Sequence, residues 1–251
     1  MINFFRKTRK KLADDNKFIK YSRYAVGEIL LIFIGVLIAI QVANFNEMRE
    51  IRNAEQLLLK GLLSEMKANQ IQLTEAMTYH AKSRNAAKRM LEIYNGDYIY
   101  KNYREVDSTL AVLQWAWTFD PSMGALNSIK MSGHLNSVQN ADLRALITTY
   151  EDLSNDAKEE GMIIQNIIID KYIPGVNIYI SLNQRVKFLG EKYIVGTSTF
   201  KPDYEGLFKD RIVEGIITYI HTWRIDELEE EKKLNGMMEK FIYTLDKEIN
   251  K

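Results

Sequence analysis

The chain has no cysteine, three prolines and three histidines among its 251 residues. Without cysteine there is no disulfide, no thiol nucleophile and no cysteine-based metal site, so packing alone must hold the fold. No G-x-S-x-G, H-E-x-x-H, Walker or G-x-G-x-x-G pattern occurs, and none of His80, His134 and His221 has a partner at metal-ligand spacing. Each histidine is expected to be structural, and no metal, cofactor or catalytic residue is expected. Beyond residue 23 there is no basic block, which leaves nucleic acid without a footprint. Low-complexity tracts and internal repeats are absent too. Trp115, Trp117 and Trp223 are expected in the core.

What the chain does have is one long apolar run. From Ala25 to Ala43 the only polar residues are Glu28 and Gln41. Nineteen helical residues span about 28 Å, the thickness of bilayer hydrocarbon. Residues 24–45 are therefore expected to form a single transmembrane helix. Residues 1–23 carry eight basic and two acidic residues, a net of +6 against +1 for the whole chain, so residues 24–251 sum to −5. Lys/Arg excess marks the cytoplasmic flank, which puts the N-terminus inside and residues 46–251 outside. The charged front end is long, and Gln41-Val42-Ala43 lacks the small residue of a cleavage site, so an uncleaved signal anchor is expected. Arg6, Lys7, Arg9, Lys10 and Lys11 surround a Phe5–Thr8–Leu12 face, which suits a short helix on an anionic leaflet.

Within the span, Gly35, Ala39 and Ala43 form a small-residue stripe along which two helices can approach. Glu28 lies one turn inside the cytoplasmic edge. It is either a snorkelling carboxylate paired with Arg23 or Lys20, or a buried helix–helix or proton-handling group.

The exported part reads as all-α. Leu59, Leu62, Met66, Asn69, Leu73, Ala76, His80, Ser83, Ala87, Met90 and Tyr94 alternate steps of three and four, a coiled-coil-like seam. Asn95-Gly96 ends that helix. Asp107 is expected to cap a helix reaching Phe119, Pro121 to open one reaching Gly133, and Asn140 to cap one reaching about Tyr172. Pro174-Gly175 should stop the chain there, so all three prolines mark helix ends. Alternation at Val176, Ile178, Ile180, Val186 and Phe188 allows a small β-hairpin near 176–190. A last helical segment, roughly 204–249, carries the stripes Ile212–Ile216–Tyr219–Ile220–Trp223 and Leu234–Met238–Phe241–Leu245–Ile249. The charged run Glu229–Lys233 between them is expected to be an exposed or broken turn.

Segment lengths suggest a four-helix bundle on a two-helix stalk, residues 48–70 and 225–250, with the C-terminus returning towards the bilayer. Leu58, Leu59, Leu62, Leu63, Met238, Phe241 and Leu245 would leave apolar flanks on such a stalk, so a closed homo-oligomer is expected through stalk and span.

The blocks Phe4-Phe5-Arg6-Lys7, Tyr24-Ala25-Val26-Gly27-Glu28-Ile29, Ile34-Gly35-Val36-Leu37-Ile38-Ala39, Gln41 and Asn44-Phe45-Asn46-Glu47 resemble an uncharacterised family of single-pass inner-membrane proteins of Gram-negative bacteria. Phe45 stands where that family more often has tryptophan. A second block, Lys130-Met131-Ser132-Gly133-His134-Leu135 with Asn140-Ala141-Asp142-Leu143-Arg144, is similar as well. The resemblance implies the location and no activity, since the family has none assigned.

Three functions fit. The first is a membrane-anchored interaction or scaffold module with a membrane or periplasmic protein as partner. The second is a ligand-sensing bundle that signals through a partner. The third is an accessory subunit of a proton-coupled assembly in which Glu28 titrates. All three share one topology. Protease added to spheroplasts should digest the chain from about residue 48 onward, and full protection of that domain would reverse the orientation.

Overall fold

The computed structural model describes residues 6–7, 18–96, 102–131, 133, 135 and 138–250. The sites expected at Arg9, Lys10, Lys11 and His134 lie outside the described residues. Two compact units result, Met1–Gln56 and Leu57–Lys251, and each is described by itself.

Helix α1 covers Phe18–Tyr94. Its stretch in the first unit is the one helix among the described residues that is long and apolar enough to cross a membrane. Leu31 is 72% exposed, and Ile29, Phe33, Ile34 and Ile38 are exposed as well. A helix apolar on every side, with no protein around it, is matched to hydrocarbon rather than to water. Arg6 and Lys7 are exposed and helical.

The second unit is all-α among its described residues. After α1 come α2 (Tyr103–Leu113), α3 (Gly124–Met131) and α4 (Ala141–Ile167). A π-turn, Ile168–Tyr172, leads into α5 (Ile173–Asn177). Then follow α6 (Leu182–Val186), two 3₁₀ turns at Lys187–Leu189 and Glu191–Tyr193, α7 (Tyr204–Lys209) and α8 (Arg211–Ile249).

Helix α8 runs antiparallel to α1 and α4, which lie parallel to each other. One apolar core joins Leu59, Leu62 and Met66 of α1 with Leu126 and Ile129 of α3, Leu143, Ile147 and Tyr150 of α4, and Leu234, Met238 and Phe241 of α8. A second joins Ala87 and Met90 of α1 with Val106 and Leu110 of α2, Tyr172 and Val176, and Val213 and Ile217 of α8. The bundle thus has three long members, and α2 and α3 in series fill the fourth position.

The seam read from the sequence is the buried face of α1 in this unit. Every member from Leu59 to Met90 is buried. Asn95 N–H donates to Leu91 O at 3.0 Å and closes the helix at the expected turn. Asn140 caps α4 as expected, accepting from Asp142 N and Leu143 N at 3.0 and 3.2 Å.

Several expectations need correction. The cap of α2 is Asn102, whose Oδ1 accepts from Glu105 N at 3.3 Å. Asp107 is instead buried inside that helix, where its carboxylate accepts from Tyr204 Oη and Gln184 Nε2. Pro121 does not open α3. Glu65 of α1 does, accepting from Ala125 N at 2.7 Å and Leu126 N at 3.1 Å, where an anion meets the positive helix end.

Pro174 does not stop the chain. The wider π-turn, closed by Ile173 N–H to Ile168 O, absorbs the missing donor and the helical path continues. No β-hairpin forms near 176–190. Tyr172, Val176 and Ile180 are buried at four-residue steps while Ile178 is 75% exposed, so a helical period wins over the alternation. Lastly, α8 runs unbroken through Glu229–Lys233, with Glu231 buried. Its buried face is Val213–Ile217–Ile220–Arg224–Glu227–Glu231–Leu234; of the expected stripe Ile212–Ile216–Tyr219–Ile220–Trp223, Ile220 lies on that face, Ile216 and Trp223 are half-buried beside it, and Ile212 and Tyr219 are exposed. Charged residues lie on the core face there, and following apolar residues alone misses it.

The stalk is likewise thicker than two helices. Leu59, Leu62, Met238, Phe241 and Leu245 are fully buried in the chain's own core, covered by α3 and α4, and Leu58 and Leu63 pack against it. The five fully buried ones face the chain's own core, and Leu58 and Leu63 are half-buried at its edge. Phe241→Ala should therefore cost about 3–5 kcal/mol and Leu62→Ala about 2–5. Leu57→Ala, at a 72% exposed position, should stay within about 0.5. Urea unfolding followed by circular dichroism reads all three.

Candidate functional site

Between α2 and α3 the chain leaves the helical path, and residues 114–120 cross α1 in an open conformation. A non-helical segment against a helix leaves backbone donors and acceptors without partners, and α1 side chains must meet them. Asn69 does this for Ser122. Its Oδ1 accepts from Ser122 N at 2.9 Å, and its Nδ2 donates to Ser122 O at 2.7 Å and to Tyr150 Oη at 2.9 Å. Burial pushes the Tyr150 hydroxyl up to about 12, against the pull of Asn69. His80 does the same at the other end, with Nε2 2.9 Å from Trp117 O.

The segment carries Trp115 and Trp117. The Trp117 ring stacks on Tyr79 of α1 with centroids 4.4 Å apart and 3° between planes. Trp115 lies 5.8 Å from Trp117, and Tyr193 meets it edge-on at 5.9 Å. With Val112, Phe188 and Leu189 these rings wall a half-open cavity of about 610 Å³. Lys82 and Lys192 also line it, their ammonium groups 5.2 Å and 4.9 Å from the Tyr79 and Tyr193 centroids. Its size is that of a small-molecule site. The tryptophans expected in the core at 115 and 117 are thus walls of a groove.

Behind the wall lies a charged cluster. His80 Nδ1 is 2.8 Å from Glu231 Oε1 and 3.4 Å from Glu227 Oε2. Arg224 Nη1 donates to Glu227 Oε2. All four residues are at most 1% exposed. Burial pushes the Glu227 carboxyl above the ordinary carboxylate range; Arg224 and His80 pull it back and Glu231 adds to the rise. The ligand atoms of His80, Glu227 and Glu231 lie within 4.8 Å of one another. The expectation that no histidine has a partner at metal-ligand spacing is corrected at His80. Its partners sit on a helix 147 and 151 positions away, where no spacing rule reaches.

Opposite the cluster is Gly161 of α4, at which a Cβ would come 3.3 Å from Glu227 Oε1. Elsewhere, Tyr103, Arg104, Asp107, Gln184, Lys187, Phe188 and Tyr204 line a second cavity of about 590 Å³. The remaining expected residues line neither cavity. Glu28 is half-buried, and Gly35, Ala39 and Ala43 lie in the exposed apolar stretch of the first unit.

A family model described as a family of unknown function, DUF6090, matches residues 28–172, more than half of the 251 residues. The chain belongs to DUF6090. The DUF6090 match takes in α1 from Glu28, the Trp115–Trp117 segment, His80 and all of α4. Glu227, Glu231 and Tyr193 fall beyond it. No curated protein and no solved structure matches the chain.

Gly161 gives this geometry a sharp test. Gly236, exposed on α8, has nothing within 4 Å of an added Cβ, so Gly236→Ala should stabilise the fold by about 0.5–1 kcal/mol. Gly161→Ala should lose that gain, because its Cβ crowds the Glu227 carboxylate. Paired thermal melts compare the two, and an equal gain at both sites would contradict the described packing.

Proposed function

We propose that the chain is a single-pass inner-membrane protein of a Gram-negative bacterium, with its N-terminus cytoplasmic and an uncleaved signal anchor. Its periplasmic helical domain is an interaction module that takes an anionic, ring-bearing ligand in the aromatic groove. The observation that carries this reading is the wall of Tyr79, Trp115, Trp117 and Tyr193 with Lys82 and Lys192 beside it. Stacked and edge-on rings offer flat apolar faces to a planar group, and two ammonium groups offer charge to an acid. The lining has no carboxylate, imidazole or aliphatic hydroxyl, which favours binding over catalysis. Signalling or scaffolding then passes through the span. Gly35 has nothing within 4 Å of an added Cβ, and the Gly35–Ala39–Ala43 stripe suits a second span, either from a copy of this chain or from a membrane partner.

Terephthalate tests the groove, because it has a flat ring and a carboxylate at each end. Titrated into the full chain in nanodiscs, it should quench tryptophan fluorescence with saturation. Lys192→Ala should weaken binding about tenfold, the equivalent of 1.4 kcal/mol, and Trp115→Ala should weaken it as well. Unsaturable quenching, the same in wild type and variants, would remove the groove from the proposal.

A further inference from the structure

We infer that His80, Glu227 and Glu231 form the binding site of one divalent first-row transition ion, with zinc as the representative. This does not rest on the groove or its ligand.

Trp117 O can only accept, so His80 Nε2 carries a hydrogen and donates it there at 2.9 Å. Nδ1 then faces Glu231 Oε1 and Glu227 Oε2, two further acceptors, at 2.8 and 3.4 Å. A lone pair aimed at two carboxylate oxygens is repelled, so something positive must sit between them. A proton on Nδ1 meets the Glu231 contact. It leaves Glu227 Oε1 and Glu231 Oε2 buried with no hydrogen bond among the described residues. Each such oxygen is stripped of water without compensation. A metal ion engages Nδ1 and both carboxylates at once, and either unmatched oxygen can join it as a second donor.

The geometry fits. Bonds of about 2.0–2.2 Å at tetrahedral angles place neighbouring ligand atoms about 3.3 Å apart. The His80–Glu227 separation already matches, and the His80–Glu231 pair opens by about half an ångström. Outer contacts are those of a metal site as well. The second ring nitrogen is fixed by a backbone carbonyl, and one ligating carboxylate is held by Arg224. One imidazole with two carboxylates favours zinc, iron or manganese over calcium, which takes oxygen ligands alone. Charge also balances. Imidazolium, two carboxylates and guanidinium sum to zero. When the ion enters, the Nδ1 proton leaves to water, and the resulting +1 is neutralised by hydroxide or another anion in the open coordination position.

The test uses the full chain in mild detergent, stripped with a chelator under gentle warming and then titrated with ZnCl₂ and CoCl₂. We expect one equivalent of zinc retained through gel filtration, a raised melting temperature, and cobalt ligand-field bands that saturate at one equivalent. Glu231→Gln and His80→Gln should each lose at least about 100-fold in affinity, whereas Glu230→Gln, one position away and on the surface, should bind as wild type. Folded wild type that retains no zinc would overturn the inference, and would mean that a proton alone bridges the triad. Zinc retained equally by Glu231→Gln would overturn it too, as adventitious binding. Should both buried-site variants fail to fold, the wild-type cobalt titration decides, and the lack of a saturating one-equivalent spectrum refutes the site.

Discussion

The second unit depends on how α1 satisfies a piece of chain that is not a helix. Two short helices fill one side of the bundle, and the connector between them brings its backbone against α1. Asn69 and His80 take up its amide and carbonyls at Ser122 and Trp117, and Glu65 takes up the first amides of α3 at Ala125 and Leu126. Buried peptide groups left unpaired would each cost more than a hydrogen bond is worth in water. These three side chains therefore decide where the connector lies. The connector decides where Trp115 and Trp117 stand, and through Trp117 O it fixes the ring of His80.

Charge enters the interior in several places, Asp107 and Arg185 among them, and most densely in one layer. Between the two apolar cores sit His80, Ser83, Ser154, Arg224, Glu227 and Glu231, all buried. Isolated ions at this depth would carry a penalty of several kcal/mol each, and pairing is what makes the layer tolerable. The same pairing explains why Gly161 faces it, since Glu227 needs the volume that a side chain would occupy.

Much of this was legible from sequence where a single local rule decides. The seam of α1, the Asn95 turn and the Asn140 cap each depend on neighbours within one or two turns. Where a distant group decides, local rules failed. Glu65 starts α3 from another helix. A π-turn lets the path cross Pro174. Arg224, Glu227 and Glu231 occupy a core face that apolar periodicity skips. The cluster was illegible for the same reason, because its members become neighbours only through antiparallel pairing of α1 and α8. The groove was half legible. Its tryptophans stand out in the sequence, but the connector that turns their rings outward has no sequence signature of its own.

One consequence concerns sliding. Helices that meet through a uniform apolar stripe can shift by a heptad and still bury similar surface, as loosely specified coiled coils do. Here the polar layer forbids it. Moving α8 along α1 by one such step would press Glu227 and Glu231 against Leu73 or Ala87 instead of His80, and would strand the imidazole among hydrocarbon. The buried charges thus work as an alignment pin. They add little cohesion of their own, yet they leave the long pair a single axial setting, and the two apolar cores on either side inherit their register from it.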